Sequence, residues 1–207
     1  MQDAPEQPQL YLITPPVLEP ATFADMLAAV LDVHPAACVR LALASTDEDT
    51  LARAADTLRV VTDARDVALV IADHTLLAER LGLDGVHLGD AARSVRYARK
   101  VLGPDAIVGS VCAGSRHDGM SAGEAGADYV AFGPVQATAL RDGEVAEHDL
   151  FAWWSEVIEV PCVAEGRLDP ALISALAPVT DFFGIGEEIW DSDDPVAALG
   201  ALWAAVG

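Results

Sequence analysis

Short apolar segments alternate with longer amphipathic segments along almost the whole chain. Eight of the short segments are rich in Val, Ile, Leu or Phe and predict buried β-strands. The stretches between them show helical periodicity, so the pattern predicts β/α alternation and a parallel sheet. The predicted strands are residues 9–14, 37–44, 67–72, 84–88, 106–111, 129–132, 161–164 and 181–184, and the predicted helices are residues 22–33, 47–60, 74–81, 91–102, 115–125, 149–158, 169–176 and 195–206.

Capping residues mark several of these helix ends independently of the periodicity. Thr22, Asp47 and Asp169 stand where an oxygen-bearing side chain would cap the start of a helix. Gly82 and Gly126 stand where a helix would end in a left-handed residue. The segmentation therefore rests on two kinds of signal.

Eight β/α units in 207 residues predict a (β/α)₈ TIM barrel, an α/β fold with short loops in a single domain. We expect this domain to span residues 9–207 and residues 1–8 to form a flexible N-terminal segment. A doubly wound open sheet is the structural alternative. It lacks its usual support, because no G-x-G-x-x-G follows the first predicted strand and no P-loop motif occurs.

The charge of the chain narrows the range of partners. The sequence has 33 Asp and Glu against 12 Lys and Arg, a formal net charge of -21, which disfavours nucleic acid and anionic membranes as partners. Three widely spaced cysteines, with no zinc-binding spacing, predict a reduced, cytoplasmic protein. No signal peptide and no membrane-spanning apolar run is visible. The sequence leaves self-association into a homo-oligomer open.

Arg40 is the most unusual residue of the predicted strands. The strand period of two places Arg40, Ala42 and Ala44 on one face, which we expect to point into the barrel. A buried guanidinium needs either a carboxylate of the barrel or a bound anion, because an unpaired buried charge is costly. An internal ion pair is the favoured interpretation.

Further candidates for chemistry follow the carboxyl ends of the strands, where barrels place their active sites. Asp73 suits either a divalent metal or, more commonly, a helix cap. His87 is predicted to face inward, where a core histidine is more common than a catalytic base. His117, after the fifth strand, suits either acid–base chemistry or a solvated helix start.

Three loops have a composition suited to ligand binding. Residues 133–141 offer a hydroxyl, an amide and a cation that are placed to cover a ligand. The loops after the seventh and eighth strands carry glycines, at the position where barrels build phosphate sites from backbone amides. Arg167 suits a phosphate there, whereas Glu187 and Glu188 do not.

Three segments in this order resemble the thiamine phosphate synthase family, which also contains the thiazole tautomerases. They are LYLIT at residues 10–14, DGVHLG at residues 84–89 and GADYVAFGPV at residues 126–135. The resemblance runs nearly end to end. It implies a (β/α)₈ barrel and a magnesium-assisted reaction that joins a pyrimidine diphosphate to a thiazole phosphate and releases pyrophosphate. The implied ligand is a small phosphorylated heterocycle.

The resemblance also implies roles for individual positions. Asp73 matches a magnesium ligand, and Arg40 matches a position that binds the diphosphate. The candidate catalytic residues are Arg141, which with Thr138 would touch the departing diphosphate, and His117, which lies a few residues from the position of the tautomerase histidine. The residues implied to hold the thiazole phosphate are Gly166, Arg167, Gly184 and Gly186.

Several family positions carry other residues in this chain. Ala72 and Ala92 stand at an Asn and at a second magnesium-binding Asp, and Ala42 and Ala44 stand at two cations that bind diphosphate. These replacements predict weakened diphosphate binding and reduced synthase activity, since a charged hydrogen bond to phosphate is among the stronger contacts. Three functions stay open: a divergent synthase, a tautomerase-like isomerase, and a non-catalytic phosphate-binding barrel.

Overall fold

Eight parallel strands close into one barrel in the computed structural model of the chain, which describes residues 7–136 and 145–207. Each strand pairs with the next along the chain, and the last strand pairs with the first, with Tyr11 opposite Gly184. Helices alternate with the strands. The predicted (β/α)₈ TIM barrel is confirmed.

The elements follow the predicted order. The strands are β1 (Gln9–Ile13), β2 (Cys38–Leu41), β3 (Ala68–Ala72), β4 (Gly85–Leu88), β5 (Ile107–Ala113), β6 (Tyr129–Phe132), β7 (Cys162–Glu165) and β8 (Phe182–Ile185). The helices are α1 (Pro20–Val33), α2 (Glu48–Asp63), α3 (Thr75–Leu81), α4 (Val95–Leu102), α5 (Arg116–Ala125), α6 (His148–Val157), α7 (Pro170–Leu176), α8 (Glu187–Trp190) and α9 (Pro195–Trp203), with a 3₁₀ turn at Ala177–Val179.

Most of the predicted helix ends are confirmed. Asp47 and Asp169 cap α2 and α7 through their carboxylates, and Gly82 and Gly126 end α3 and α5 in the left-handed region. The prediction for Thr22 is wrong. The Glu19 carboxylate caps α1 instead, accepting from the amides of Ala21 and Thr22, because Pro20 starts the helix two residues earlier than predicted.

Alternate residues of the strands divide between two apolar layers. Leu10 and Leu12 pack outward beneath the helices, whereas Tyr11 belongs to a separate cluster inside the barrel. That inner cluster consists of Tyr11, Cys38, Val70, Tyr129, Ala131 and Val163. The strand period thus turns one set of side chains toward the helices and the other toward the barrel axis.

One α-helix was not predicted. The short helix α8 directly follows β8, and its four residues have too little periodicity to be recognised in the sequence. Ile189 and Trp190 of α8 are buried, and the Trp190 indole Nε1–H donates to the carbonyl oxygen of Ile13 at 2.6 Å. These contacts fix α8 against β1 at the mouth of the barrel.

The N-terminal residues that the structure describes pack against the C-terminus of the chain. Residues 1–6 of the predicted flexible segment lie outside the described residues, whereas Pro8 is buried and the Gln7 amide donates to the Gly207 carbonyl. In the described part of the chain, no helix is both long enough and apolar enough to cross a membrane.

Candidate functional site

Arg40 lies inside the barrel and is paired there, as predicted. Its Nη2 lies 2.9 Å from the Glu165 carboxylate at the end of β7. Its Nη1 lies 2.5 Å from Nε2 of His87 on β4. Burial disfavours the charged form and is the largest single influence. The Glu165 carboxylate, together with Tyr11 and Tyr129, opposes burial and outweighs it, so the pKa of Arg40 is raised above its usual value. The internal ion pair is confirmed.

His87 is a buried histidine with both ring nitrogens hydrogen-bonded. Because a guanidinium only donates, Nε2 of His87 must accept, which places the proton on Nδ1. Nδ1 then donates to the Tyr129 hydroxyl at 2.8 Å, which lies 2.7 Å from the Tyr11 hydroxyl. Burial, and then the neighbouring Arg40 charge, hold the pKa of His87 well below its usual value. The interpretation of His87 as a core residue is confirmed.

A cavity of about 340 Å³ opens at the carboxyl end of the barrel above this network. It collects five of the predicted substrate-binding residues, which come from three different strands or the loops after them. These are Arg40, Gly166, Arg167, Gly184 and Gly186. We call this space the mouth cavity.

Two glycines shape the mouth cavity because their neighbours approach closely. A Cβ on Gly166 would lie 2.9 Å from the Cα of Pro134, and its φ of +92° is one that other residues rarely adopt. A Cβ on Gly186 would lie 2.9 Å from the carbonyl oxygen of Ile13. A larger residue at either position would require the neighbouring backbone to shift.

The charges of the mouth cavity are mixed. Three carboxylates, those of Glu165, Glu187 and Glu188, line it beside the guanidinium groups of Arg40 and Arg167. Sequence reasoning did not name Glu165 as the partner of Arg40. An available signal was the acidic residue at the end of β7, which faces the same interior as the inward arginine.

Asp73 lies at a second cavity, of about 470 Å³, beside the ends of β3 and β4. It does not cap α3, because that helix starts at Thr75 after His74 and has no side-chain cap. The more common role predicted for Asp73 is therefore wrong. Its Oδ1 instead accepts from the amide of Gly89 at 2.6 Å. Asp90 lines the same cavity, and its Oδ2 accepts from the Ser94 hydroxyl at 2.6 Å.

The two cavities differ in what they can bind. Within residues 7–136 and 145–207, they share no lining residue and no three metal-ligating side chains cluster. Magnesium is commonly held by one or two carboxylates together with the phosphates of a substrate. Asp73 and Asp90 supply two carboxylates to one cavity, so the donor chemistry there fits that ion.

The remaining predicted residues lie elsewhere. His117 is exposed in the first turn of α5 and lines neither cavity. Thr138 and Arg141 lie outside the described residues, as does most of the loop predicted to cover a ligand. Their roles stay predictions.

The chain is similar over nearly its whole length to known proteins of one family. A family model described as "Thiamine monophosphate synthase" matches residues 10–180. The "Thiamine-phosphate synthase" of Rhodospirillum centenum is 44% identical over 197 residues, covering 92% of this chain and 94% of that protein. That of Hyphomonas neptunium is 37% identical over 205 residues, covering 94% and 91%.

A solved structure supports the same fold. The "Thiamine phosphate pyrophosphorylase" of Pyrococcus furiosus superposes with a TM-score of 0.83 at 23% identity, covering 96% of this chain and 95% of that chain. The tautomerase and non-catalytic alternatives, and the expectation of reduced activity, gain no support from these similarities. The match of the family model to most of the chain shows that the chain belongs to the thiamine monophosphate synthase family.

Proposed function

We propose that this chain is a thiamine phosphate synthase. In the proposed reaction, the ring nitrogen of a thiazole phosphate forms a bond to the methylene carbon of a hydroxymethylpyrimidine diphosphate. The bond from that carbon to the diphosphate breaks, and pyrophosphate leaves with the electron pair. The observation that carries the proposal is the 44% identity to a protein of that name over 92% of this chain.

The mouth cavity supports the thiazole phosphate half of the reaction. Gly166 and Gly186 bring backbone close to the cavity, and Arg167 adds an exposed cation at its rim. Loops after the seventh and eighth strands are the usual phosphate site of this fold. We therefore assign Gly166, Arg167, Gly184 and Gly186 to binding the phosphate of the thiazole.

The second cavity supports the diphosphate half. Asp73 would hold magnesium there, with Asp90 as the neighbouring carboxylate. The ion would supply positive charge that stabilises the departing diphosphate. Gly89 fixes the carboxylate of Asp73 through its amide, which lets Asp73 keep one orientation without a helix cap. Thr138 and Arg141 are assigned to the same diphosphate by family position.

Arg40 has a structural and a functional part in this proposal. Its Nη groups are held by Glu165 and His87, so the interior network fixes the guanidinium at the floor of the mouth cavity. A fixed cation there would stabilise the negative charge of a substrate bound in the mouth cavity without the cost of reorganisation. The contact of Arg40 with the diphosphate, and a catalytic role of His117, stay predictions to be tested by substitution.

The direct test is turnover with defined substrates. The purified protein is incubated with hydroxymethylpyrimidine diphosphate, thiazole phosphate and magnesium, and both pyrophosphate and thiamine phosphate are quantified. Equal amounts of the two products are expected, with loss of both in Asp73→Ala. If the folded wild-type protein forms neither product, the proposed function is wrong.

The proposal also covers the binding partners of the protein and its cellular compartment. The substrates are small phosphorylated heterocycles, and the negative net charge makes nucleic acid and anionic membranes poor partners. The three cysteines are free thiols buried in the described fold. Their reduced state agrees with a cytoplasmic site of action.

A further inference from the structure

The carboxylate of Glu188 accepts hydrogen bonds from two backbone amides. Its Oε1 accepts from the amide of Leu168, in the loop after β7, at 3.0 Å. Its Oε2 accepts from the amide of Gly186, in the loop after β8, at 2.8 Å. One carboxylate therefore bridges the two loops to which the phosphate of the substrate is assigned.

This placement of Glu188 is fixed by its neighbours in the fold. Ile189 and Trp190, the next two residues, are buried, and the Trp190 indole is hydrogen-bonded to β1. Gly186, two residues before Glu188, is packed against the backbone of Ile13. The backbone on either side of Glu188 thus has little freedom, whereas the side chain itself is only partly buried at the cavity.

Glu187 provides an internal comparison. It carries the same charge, lines the same cavity and is exposed, yet none of the described hydrogen bonds ends on its carboxylate. The chain therefore has two adjacent carboxylates at the mouth cavity, and only Glu188 occupies backbone donors. Removing either one changes the charge equally, but only removal of Glu188 frees the two amides.

We propose that Glu188 is a built-in competitor for the phosphate of the substrate and determines the affinity and specificity of the phosphate site. A carboxylate and a phosphate monoester both satisfy a pair of amide donors through two oxygens. Binding of a phosphate to the amides of Leu168 and Gly186 requires the Glu188 side chain to rotate away. This inference rests on the proposed function, since it concerns the same phosphate site.

The competition has a consequence for specificity. Inorganic phosphate offers only its charge and oxygens, so the wild-type protein binds it weakly. A phosphorylated heterocycle brings additional contacts of its ring with the cavity, and these offset the displacement of Glu188. Glu188 thereby favours the complete substrate over free phosphate in a site that otherwise binds both.

The test compares the binding of inorganic phosphate to the wild-type chain, Glu188→Ala and Glu187→Ala by calorimetry. Glu188→Ala is expected to lower the Kd by at least about tenfold, because two amides are freed as well as a charge removed. Glu187→Ala is expected to change the Kd by less than about threefold, through charge alone. In 1 M KCl the effect of Glu187→Ala is expected to vanish and that of Glu188→Ala to persist.

Amide resonances of Leu168 and Gly186 locate the binding. In Glu188→Ala, titration with phosphate should shift both resonances, and in the wild-type chain it should not at the same concentrations. Glu188→Gln keeps the size of the side chain and protects the test against misfolding. Since its neutral amide is a weaker acceptor, its Kd is expected between those of the wild type and Glu188→Ala.

The outcomes separate this inference from the proposed function. Equal phosphate affinity of Glu188→Ala and Glu187→Ala would overturn the role of Glu188, as would tighter binding that leaves the Leu168 and Gly186 resonances unmoved. Neither result bears on turnover, which is measured with the wild-type enzyme and its two substrates. Conversely, a phosphate site released by Glu188→Ala in a chain that shows no turnover would refute only the proposed function.

Discussion

The polar groups inside the barrel and those at its mouth are held in different ways. Inside, Arg40, His87 and Tyr129 are held by one another's side chains and by Glu165. Both cavities lie at the carboxyl end of the barrel, which we call the mouth. There Asp73 and Glu188 are held by backbone amides of neighbouring loops. The interior contacts are buried, whereas Asp73 is exposed and Glu188 is partly so.

This difference indicates which groups can exchange partners. A buried side-chain network leaves uncompensated charge or unpaired polar atoms when one member is removed. A carboxylate on a backbone amide at the surface can be replaced by water or by a ligand oxygen, because either one supplies the acceptor that the amide loses. We therefore expect the interior network to govern stability and the mouth carboxylates to govern binding and turnover.

The largest effect expected is on stability, from Arg40→Met. This change leaves the partly buried Glu165 carboxylate without its cation and the buried His87 without its donor. Breaking one partner of a buried pair costs about 3 to 5 kcal/mol of the free energy of unfolding. Urea denaturation measures it. Arg65→Met, which removes a surface pair with Asp32, is the control and should cost far less.

The double variant Arg40→Met/Glu165→Leu sharpens this test. If the loss in Arg40→Met comes from the stranded carboxylate, replacing both partners by apolar residues should recover much of the stability. A double variant as unstable as the sum of the two single variants would show that the pair does not act as a unit. If Arg40→Met were about as stable as the wild type, the interior network would not govern stability, and the proposed difference between interior and mouth would be wrong.

The second largest effect is expected in Asp73→Asn, which should lower turnover. Loss of a magnesium-binding carboxylate should lower kcat/KM by about 100-fold or more, since metal stabilisation contributes several kcal/mol. The change should leave the urea midpoint nearly unchanged, because Asp73 is exposed and Asn tolerates its φ of +60°. Asp73 thus belongs to the mouth class if activity falls and stability does not.

Asp66→Asn is a matched control for this substitution. Asp66 is also exposed and has a φ of +56°. It precedes β3, whereas Asp73 follows the same strand. Both substitutions change one charge in the same backbone conformation. Equal losses of turnover in the two variants would refute a specific role for Asp73.

The sequence predicts the interior better than the mouth. Strand periodicity identifies Arg40 and His87 as inward residues, because alternation depends only on local backbone geometry. It does not identify Glu165, because the partner is chosen by barrel closure across 125 residues of chain. The cap at Glu19 and the short helix α8 also escape pattern reasoning, since each is decided by one turn of backbone and its tertiary contacts.

The same limit explains the misassigned role of Asp73. An aspartate just before a helix is usually its cap. The carboxylate of Asp73 instead contacts the amide of Gly89, which directly follows the neighbouring strand β4, and that contact depends on the folded structure. The glycines of the mouth were predicted by composition and family position. The hydrogen bonds from the amides of Leu168 and Gly186 to Glu188 were not predicted, because they depend on two loops meeting in space.

A smaller effect concerns the pH dependence of stability, through His87. Its pKa is lowered in the folded state, so the unfolded chain binds more protons below the usual histidine pKa of about 6.5. His87 therefore lowers stability as pH falls below that value and has no such effect above it. The slope is at most about 1.4 kcal/mol per pH unit for one proton.

His87→Gln tests this dependence because its side-chain oxygen replaces Nε2 as an acceptor for Arg40. The stability of wild type relative to His87→Gln should fall between pH 6.5 and pH 5, as measured by urea denaturation at each pH. His148→Gln, at an exposed position of α6, is the control for loss of a histidine. A pH-independent difference between wild type and His87→Gln would show that His87 does not stay neutral in the fold.

The smallest effect expected is on substrate affinity, from Arg167→Met. Arg167 is exposed at the rim of the mouth cavity, so its attraction for the thiazole phosphate is screened and a three- to tenfold rise in KM for that substrate is expected, about 1 kcal/mol. Methionine keeps a Cβ, so the cost of the φ of +59° is unchanged. The kcat should stay within about twofold, because an attraction felt equally before and during the reaction alters only binding. Arg53→Met, on the outer surface of α2, controls for the change in net charge. A fall in kcat at constant KM would instead show that Arg167 stabilises the transition state. Arg167 would then belong neither with the interior groups that govern stability nor with the groups at the mouth that exchange partners with a ligand.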